Sequence, residues 1–162
     1  MKKKLNIAYF SGGADFTLGP FFSLLKSNHN IKIVYSKAPK PSGRGKNIKN
    51  NVLINEAKKN NILTKSIDIF ECNKDIKVLK SLDLDYIIVF SFGLILPKIL
   101  LDIPKKGCLN IHTSLLPKWR GASPIQNSLI NNEKETGFTF IMMNEKLDEG
   151  DIILKKKNQD RR

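Results

Sequence analysis

Short apolar runs alternate along this chain with segments of helical periodicity, and this alternation constrains the fold more than any other feature. The runs that predict strands are Leu5–Phe10, Ile31–Tyr35, Ser66–Phe70, Asp85–Phe90, Gly107–Thr113, Gly137–Met143 and Asp151–Leu154. The segments that predict helices are Phe16–Lys26, Asn51–Asn60, Asp75–Leu82 and Ser123–Ile130. Such an order predicts an α/β fold with an open, mostly parallel sheet. Ligands of such sheets bind beyond the carboxyl ends of the strands, so we expect functional residues just after Phe10, Phe90 and Ile111.

Length and composition fit one domain with a sizeable core, since the chain has 162 residues, 41% of them hydrophobic. The longest apolar runs, such as Tyr86–Phe90, are too short to span a bilayer. The basic start is followed by no small-residue cleavage site, so we expect a cytoplasmic first strand rather than a signal peptide. Cys72 and Cys108 lack metal-ligand spacing and are expected to be reduced thiols.

The net charge of +13 is uneven along the chain. Lysine supplies 24 of the 28 basic residues in a composition rich in Lys, Ile and Asn, so the total says little by itself. The stretch from Lys26 to Lys65 holds ten Lys or Arg against the single acid Glu56, a local net of +9. This stretch can bind a polyanion through phosphate contacts, although a solvated basic face explains the same charge.

Asn110 and His112 stand at the end of a predicted strand and project to the same face. A carboxamide and an imidazole side by side suit a reaction in which an oxyanion develops, since both can donate hydrogen bonds to it. Asp148 lies in a predicted turn, and a carboxylate near His112 would orient the ring. The alternative is that Asn110 caps a turn, His112 is a core histidine and Asp148 only shapes its turn.

Other candidate motifs are weaker. Ser11-Gly12-Gly13 follows the first strand, but neither glycine-rich nucleotide-binding pattern is present. Ser114 is not set in a G-x-S-x-G nucleophile elbow.

The segment from Gly107 to Gln126 resembles the signature of the folate-dependent formyltransferases, whose core N-x-H-x-S-L-L-P-x-x-R-G stands here at 110–121. Glu135-Thr-Gly137 and Leu147-Asp-Glu-Gly-Asp151 follow at the family's spacing, and the similarity runs from Leu5 to about Leu154. Lys40-Pro-Ser-Gly-Arg-Gly-Lys46 resembles the basic loop of the members that formylate methionyl-tRNA. A solvated surface loop remains the alternative for this segment.

The resemblance implies a Rossmann-like sheet with helices on both faces and a set of site residues. It implies a catalytic trio of Asn110, His112 and Asp148, the donor 10-formyltetrahydrofolate, initiator methionyl-tRNA as acceptor, and no metal. The residues implied to bind folate are Phe92, Gly93, Leu94, Ile95, Leu96, Pro97, Ser114, Leu115, Leu116 and Pro117. The residues implied to bind tRNA are Gly43, Arg44, Gly45 and Lys46. We expect a cytoplasmic monomer.

Comparison with the family also predicts what this chain lacks. Residues 1–154 correspond to the catalytic domain without its last part, 155–162 to a basic tail, and the carboxyl-terminal β-barrel that helps bind tRNA is absent. A formyltransferase acting on a small amine or amino-sugar nucleotide, and an inactive folate- or RNA-binding remnant, are the alternative functions.

Overall fold

The computed structural model describes residues 3–38, 41–42, 47–48 and 51–159. Within them the strands are β1 (Asn6–Ser11), β2 (Asn30–Lys37), β3 (Pro41–Ser42), β4 (Asn47–Ile48), β5 (Leu63–Ile67), β6 (Tyr86–Phe90), β7 (Cys108–His112), β8 (Glu135–Met142) and β9 (Asp151–Gln159). The helices are α1 (Leu18–Leu25), preceded by a 3₁₀ turn at Asp15–Thr17, α2 (Val52–Lys59), α3 (Cys72–Ser81), α4 (Lys98–Leu101) and α5 (Pro124–Ile130).

Seven strands form one sheet in the order β5–β2–β1–β6–β7–β8–β9, while β3 and β4 pair with each other. The first five strands of this order run parallel, and β8 and β9 are added antiparallel at one edge. The predicted mostly parallel sheet is therefore confirmed.

Helices cover both faces of the sheet because its central strands bury side chains on both sides. On β1, Ala8 and Phe10 belong to a core cluster with Leu79 of α3 and Leu100 of α4. Tyr9, which lies between them, belongs to a second cluster with residues of α1 and α2. Alternate side chains of a strand point to opposite faces, so the two clusters are the cores of the two sides.

A buried carboxylate ties α3 to this sheet. Asp75 is fully buried and accepts hydrogen bonds from the Tyr35 hydroxyl at 2.8 Å and from the Glu71 backbone N–H at 2.8 Å. Lys65 on β5 forms an ion pair with the same carboxylate at 2.5 Å. A buried charge is tolerated when it is paired and hydrogen-bonded in this way.

Two buried tyrosines should make the fold sensitive to alkali. Burial raises the pKa of Tyr9 and of Tyr35, and the adjacent Asp75 raises that of Tyr35 further. Their stabilising effect is complete below the unfolded-state pKa of about 10 and is lost as the pH rises above it. We expect the free energy of unfolding to fall by about 1.4 kcal/mol per pH unit for each tyrosine. Urea unfolding between pH 9 and 11 measures this slope, and a Tyr35→Phe variant with an unchanged slope would contradict the assignment.

Beyond α1, the face of the sheet over β6, β7 and β8 is open. It forms an apolar groove of about 420 Å³ lined by Pro20, Ser23, Leu24, Ile88, Phe90, Leu109, Ile111, Thr113, Phe138 and Phe140. The neighbouring strand β9 is the edge of the sheet in the described residues, and its apolar side chains Ile152, Ile153 and Leu154 are each about half exposed. The antiparallel edge therefore exposes an unusual amount of apolar surface.

Several element boundaries differ from the sequence prediction, and α4 was not predicted. Two of the differences have a clear physical reason. β5 ends at Ile67, and Phe70 lies in the following loop, where its ring packs 6.1 Å from that of Phe10. The apolar character of Phe70 thus reflects core packing, not strand pairing. β9 continues past Leu154 to Gln159, because its backbone pairs with β8 while its lysines remain exposed to solvent.

Within the described ranges, none of the helices is long and apolar enough to cross a membrane.

Candidate active site

The residues predicted to carry the chemistry lie at the carboxyl end of β7, an inner strand of the sheet. Asn110 pairs with Val89 of the parallel strand β6, so the loops after β6 and β7 leave the sheet side by side. The loop after β1 joins them, since the Gly12 N–H donates to the Ser91 carbonyl at 3.0 Å. The three loops in which we expected functional residues, those after β1, β6 and β7, therefore meet at the carboxyl ends of these strands.

Asn110 and His112 project from the face of β7 opposite the apolar groove, which takes Ile111 and Thr113. Asp148 reaches the same place from the turn between β8 and β9. Its Oδ1 accepts a hydrogen bond from Asn110 Nδ2 at 3.1 Å, and its Oδ2 lies 3.5 Å from His112 Nδ1. The side chains of His112 and Asp148 are only 7% and 8% exposed. The structure thus brings the three residues together, with the side chains of His112 and Asp148 largely buried.

Backbone groups of the next turn complete this arrangement. The Trp119 carbonyl lies 2.8 Å from His112 Nε2, and the Gly121 N–H donates to Asp148 Oδ2 at 2.9 Å. Both ring nitrogens of His112 therefore face oxygen atoms, and a ring protonated on both nitrogens can donate to both at once. Asp148 itself has a left-handed backbone, with φ +51°, a conformation that Asp tolerates better than most residues.

The arrangement provides two donors beside one carboxylate. An asparagine amide carries two N–H groups, and Asp148 takes one of those of Asn110. The other can donate to an oxyanion, and the imidazole can do so when its Nε2–H turns from the Trp119 carbonyl to the oxyanion, while the carboxylate orients the ring. Among the described residues no group of three or more His, Cys, Asp and Glu side chains could hold a metal ion.

Hydrogen bonds hold the Ser114–Pro117 segment against β8. The Thr139 hydroxyl donates to the Ser114 carbonyl at 2.7 Å, and Thr139 Oγ1 accepts from the Leu116 N–H at 3.1 Å. The Ser114 hydroxyl is buried and donates to the Lys118 carbonyl. The peptide bond between Leu116 and Pro117 is cis. The side chains of Ser114 and Leu116 are buried, Leu115 is half-buried and Pro117 is exposed.

The Phe92–Pro97 segment also divides into buried and exposed parts. Phe92 and Leu96 belong to the core, with Leu94 packed against it. Pro97 is half-buried at the start of α4. The outer part is Gly93, with φ +67°, and Ile95, which is 84% exposed. Of the residues predicted to bind folate, Phe92, Leu96, Ser114 and Leu116 therefore have buried side chains.

The predicted tRNA-binding residues Gly43, Arg44, Gly45 and Lys46 lie outside the described residues. Next to them in the chain, Lys37 at the end of β2 places its ammonium group beside Gly93, where an added Cβ would lie 2.7 Å from Nζ. The basic segment after β2 thus starts beside the Phe92–Pro97 loop.

Sequence reasoning missed Thr139, Trp119 and Gly121. A threonine between phenylalanines on the buried face of β8 is a weak signal for a hydrogen-bonding role. The other two act through backbone atoms, which leave no signature in residue type beyond the glycine itself.

Comparison with known proteins decides the family. A family profile described as "Formyl transferase" matches residues 5–159. The chain belongs to this family. The Asn110–Asp148 site lies inside the matched region.

Two similar proteins are both named methionyl-tRNA formyltransferase. The protein of Anaplasma marginale (strain St. Maries) is 37% identical over 147 residues, and that of Ehrlichia ruminantium (strain Gardel) is 40% identical over 149 residues. Each alignment covers 91% of this chain and 49% of the relative. The chain spans about half the length of the curated relatives it matches.

Solved structures of similar fold include other formyl-group enzymes. The phosphoribosylglycinamide formyltransferase of Bacillus halodurans has a TM-score of 0.79 at 20% identity, covering 95% of this chain and 79% of its own. A formyltetrahydrofolate deformylase from Pseudomonas syringae pv. tomato has a TM-score of 0.78 at 18% identity, covering 98% and 52%. At these identities the likeness establishes the fold alone, and it agrees with the Rossmann-like architecture predicted from the sequence.

Proposed function

We propose that this chain transfers the formyl group of 10-formyltetrahydrofolate to the amino group of methionyl-initiator tRNA. The observation that supports this most directly is the contact of Asp148 with both Asn110 and His112 at the carboxyl end of β7. The names of the two relatives that are 37% and 40% identical support methionyl-tRNA as the acceptor.

In the proposed reaction the methionyl amine attacks the formyl carbon and forms a tetrahedral intermediate. Asn110 donates a hydrogen bond to the oxyanion, and His112 does so by exchanging its Nε2 contact with the Trp119 carbonyl for one with the oxyanion. One well-placed donor is worth about 3–4 kcal/mol of barrier. Asp148 holds the imidazole and assists removal of the amine proton. The bond between the formyl carbon and N10 then breaks, and the folate nitrogen leaves with a proton.

The two loops beside the trio are the proposed donor site. Phe92–Pro97 and Ser114–Pro117 leave the ends of adjacent strands, and their buried members fix the backbone that a folate would contact. Small-molecule sites combine apolar contacts with a few well-placed polar groups, including backbone N–H and C=O, which fits loops whose buried side chains fix the backbone.

The proposed tRNA contact is Gly43–Lys46, where Arg44 offers planar donors to phosphate and Lys46 a second cation. Transfer to methionyl-tRNA by the parent chain tests the proposed function. We expect Arg44→Ala with Lys46→Ala to weaken transfer to methionyl-tRNA by about tenfold or more at moderate salt. Transfer to a small amine such as methioninamide should not change. Initial rates with both acceptors measure this.

Lys77→Ala with Lys80→Ala is the matched control, because replacing these exposed lysines of α3 removes the same charge outside the Lys26–Lys65 stretch. An equal loss on both acceptors would favour a general effect on the site and would contradict the tRNA role. If the folded parent chain binds a folate analogue but never transfers formyl to methionyl-tRNA, the proposed function is wrong.

A further inference from the structure

The turn from Lys118 to Gly121 contacts both members of the His112–Asp148 pair with backbone groups of opposite polarity. The Trp119 carbonyl faces His112 Nε2 at 2.8 Å, and the Gly121 N–H donates to Asp148 Oδ2 at 2.9 Å. An acceptor toward the imidazole and a donor toward the carboxylate stabilise a positive ring beside a negative partner. The position of the turn therefore sets the geometry of the pair.

This turn has an unfavourable backbone conformation that other contacts must maintain. Trp119 has φ +59° and Gly121 has φ +81°, both in the left-handed region. A side chain at such a φ adds strain, and Trp119 is large. A turn of this kind keeps its shape only when contacts outside it select that shape.

Two contacts of Lys118 hold the turn in this conformation. Its carbonyl accepts from the buried Ser114 hydroxyl. Its ammonium binds both carboxylate oxygens of Glu133, at 2.9 and 3.1 Å. Glu133 follows α5, and its backbone N–H donates to the Ser128 carbonyl at 3.0 Å. The ion pair thus ties the turn to the end of α5.

We propose that Lys118 and Glu133 are positioning residues of the active site. Their ion pair holds the 118–121 turn so that Trp119 and Gly121 present their backbone groups to His112 and Asp148. Neither the Lys118 nor the Glu133 side chain contacts His112 or Asp148 directly. The kinetic part of this inference rests on the proposed function, whereas its structural part does not.

The Lys118–Glu133 ion pair should affect the active site more than the overall stability of the fold. An exposed ion pair contributes little to the stability of a whole domain, and the Lys118 side chain is 64% exposed. A small free energy is nevertheless enough to shift a strained turn between conformations. Loss of the pair should therefore change His112 while the melting temperature stays nearly constant.

The chain has two histidines, so the ring of His112 can be observed directly. We would label both rings with ¹⁵N and record their long-range ¹H–¹⁵N correlations, identifying His112 by comparison with a His29→Asn variant. In Lys118→Met and in Glu133→Gln we expect the His112 ring signals to shift or broaden while those of His29 stay in place. The exchanged variant, Lys118→Glu with Glu133→Lys, should restore them.

In turnover assays we expect each single variant to lower kcat about fivefold to tenfold, with KM for the folate donor within about twofold, and the exchange to recover most of the loss. Lys157→Met is the matched control. It breaks the ion pair with Glu135, 2.8 Å apart on β9 and β8, in which the lysine is as exposed as Lys118 and the glutamate is more exposed than Glu133. It should change neither the His112 signals nor kcat.

His112 signals that are unchanged in both single variants would overturn the positioning role, whatever the turnover. Signals that also change in Lys157→Met would overturn it too, because the effect would then be general. If the parent chain shows no transfer but His112 responds as expected, the proposed function fails and the positioning role stands.

Discussion

Replacing Asp148 by Asn should lower kcat of the proposed formyl transfer about a thousandfold, with the fold intact. The amide keeps the size of the carboxylate but loses its charge and one acceptor oxygen. His112 then loses its anionic partner, and the Gly121 N–H and Asn110 amide compete for the remaining oxygen. Proton transfer and orientation by such a group typically contribute about 10²–10⁴-fold.

Asp83→Asn is a close control for this substitution. Asp83 has nearly the same backbone, with φ +50° against +51° for Asp148, but it is exposed and pairs with Lys105. Steady-state rates and thermal unfolding of both variants separate chemistry from backbone effects. A loss below about tenfold for Asp148→Asn would mean that the carboxylate takes no part in the reaction.

The largest expected effect on stability comes from Asp75. Removing its carboxylate in Asp75→Ala leaves the buried Tyr35 hydroxyl and the half-buried Lys65 ammonium without their common partner. Breaking a buried pair from one side typically costs about 3–5 kcal/mol. We expect a decrease of that size in the free energy of unfolding, measured in urea at pH 7.

Asp102→Ala is the matched control for that measurement, since Asp102 is 65% exposed and lies 3.8 Å from its partner Lys98. It should cost less than about 1 kcal/mol. The double variant Asp75→Ala with Lys65→Met removes the unpaired charge and should recover part of the loss. A single-variant effect as small as that of Asp102→Ala would show that the buried network does not stabilise α3.

The sequence could predict what depends on periodicity. The alternation of strands and helices indicated the parallel sheet, and the period of two along β7 placed Asn110 and His112 on one face. Asp148 could be assigned to the site only through the family resemblance, because its distance of 38 residues from Asn110 is closed by the β8–β9 pairing.

What could not be predicted depends on backbone atoms and on distant partners. The contacts of Trp119 and Gly121 use a carbonyl and an N–H, which every residue type except proline offers. Asp75 lies 40 residues from Tyr35 in the chain, so nothing local to either residue indicated their contact. Phe70 appeared to extend a strand, because core packing from a loop and strand pairing select the same residue type.

The exposed edge strand β9 also limits how this chain behaves in concentrated solution. Among the described residues no strand pairs with its outer edge, which leaves backbone donors and acceptors available next to Ile152–Leu154, a combination that lets one sheet add to another. Lys155, Lys156 and Lys157 follow on the same strand, so two copies that join edge to edge must bring like charges together. Solubility thus depends on electrostatic repulsion, which added salt screens over a distance of about 8 Å at physiological ionic strength. A polyanion bound along these lysines would remove the same protection.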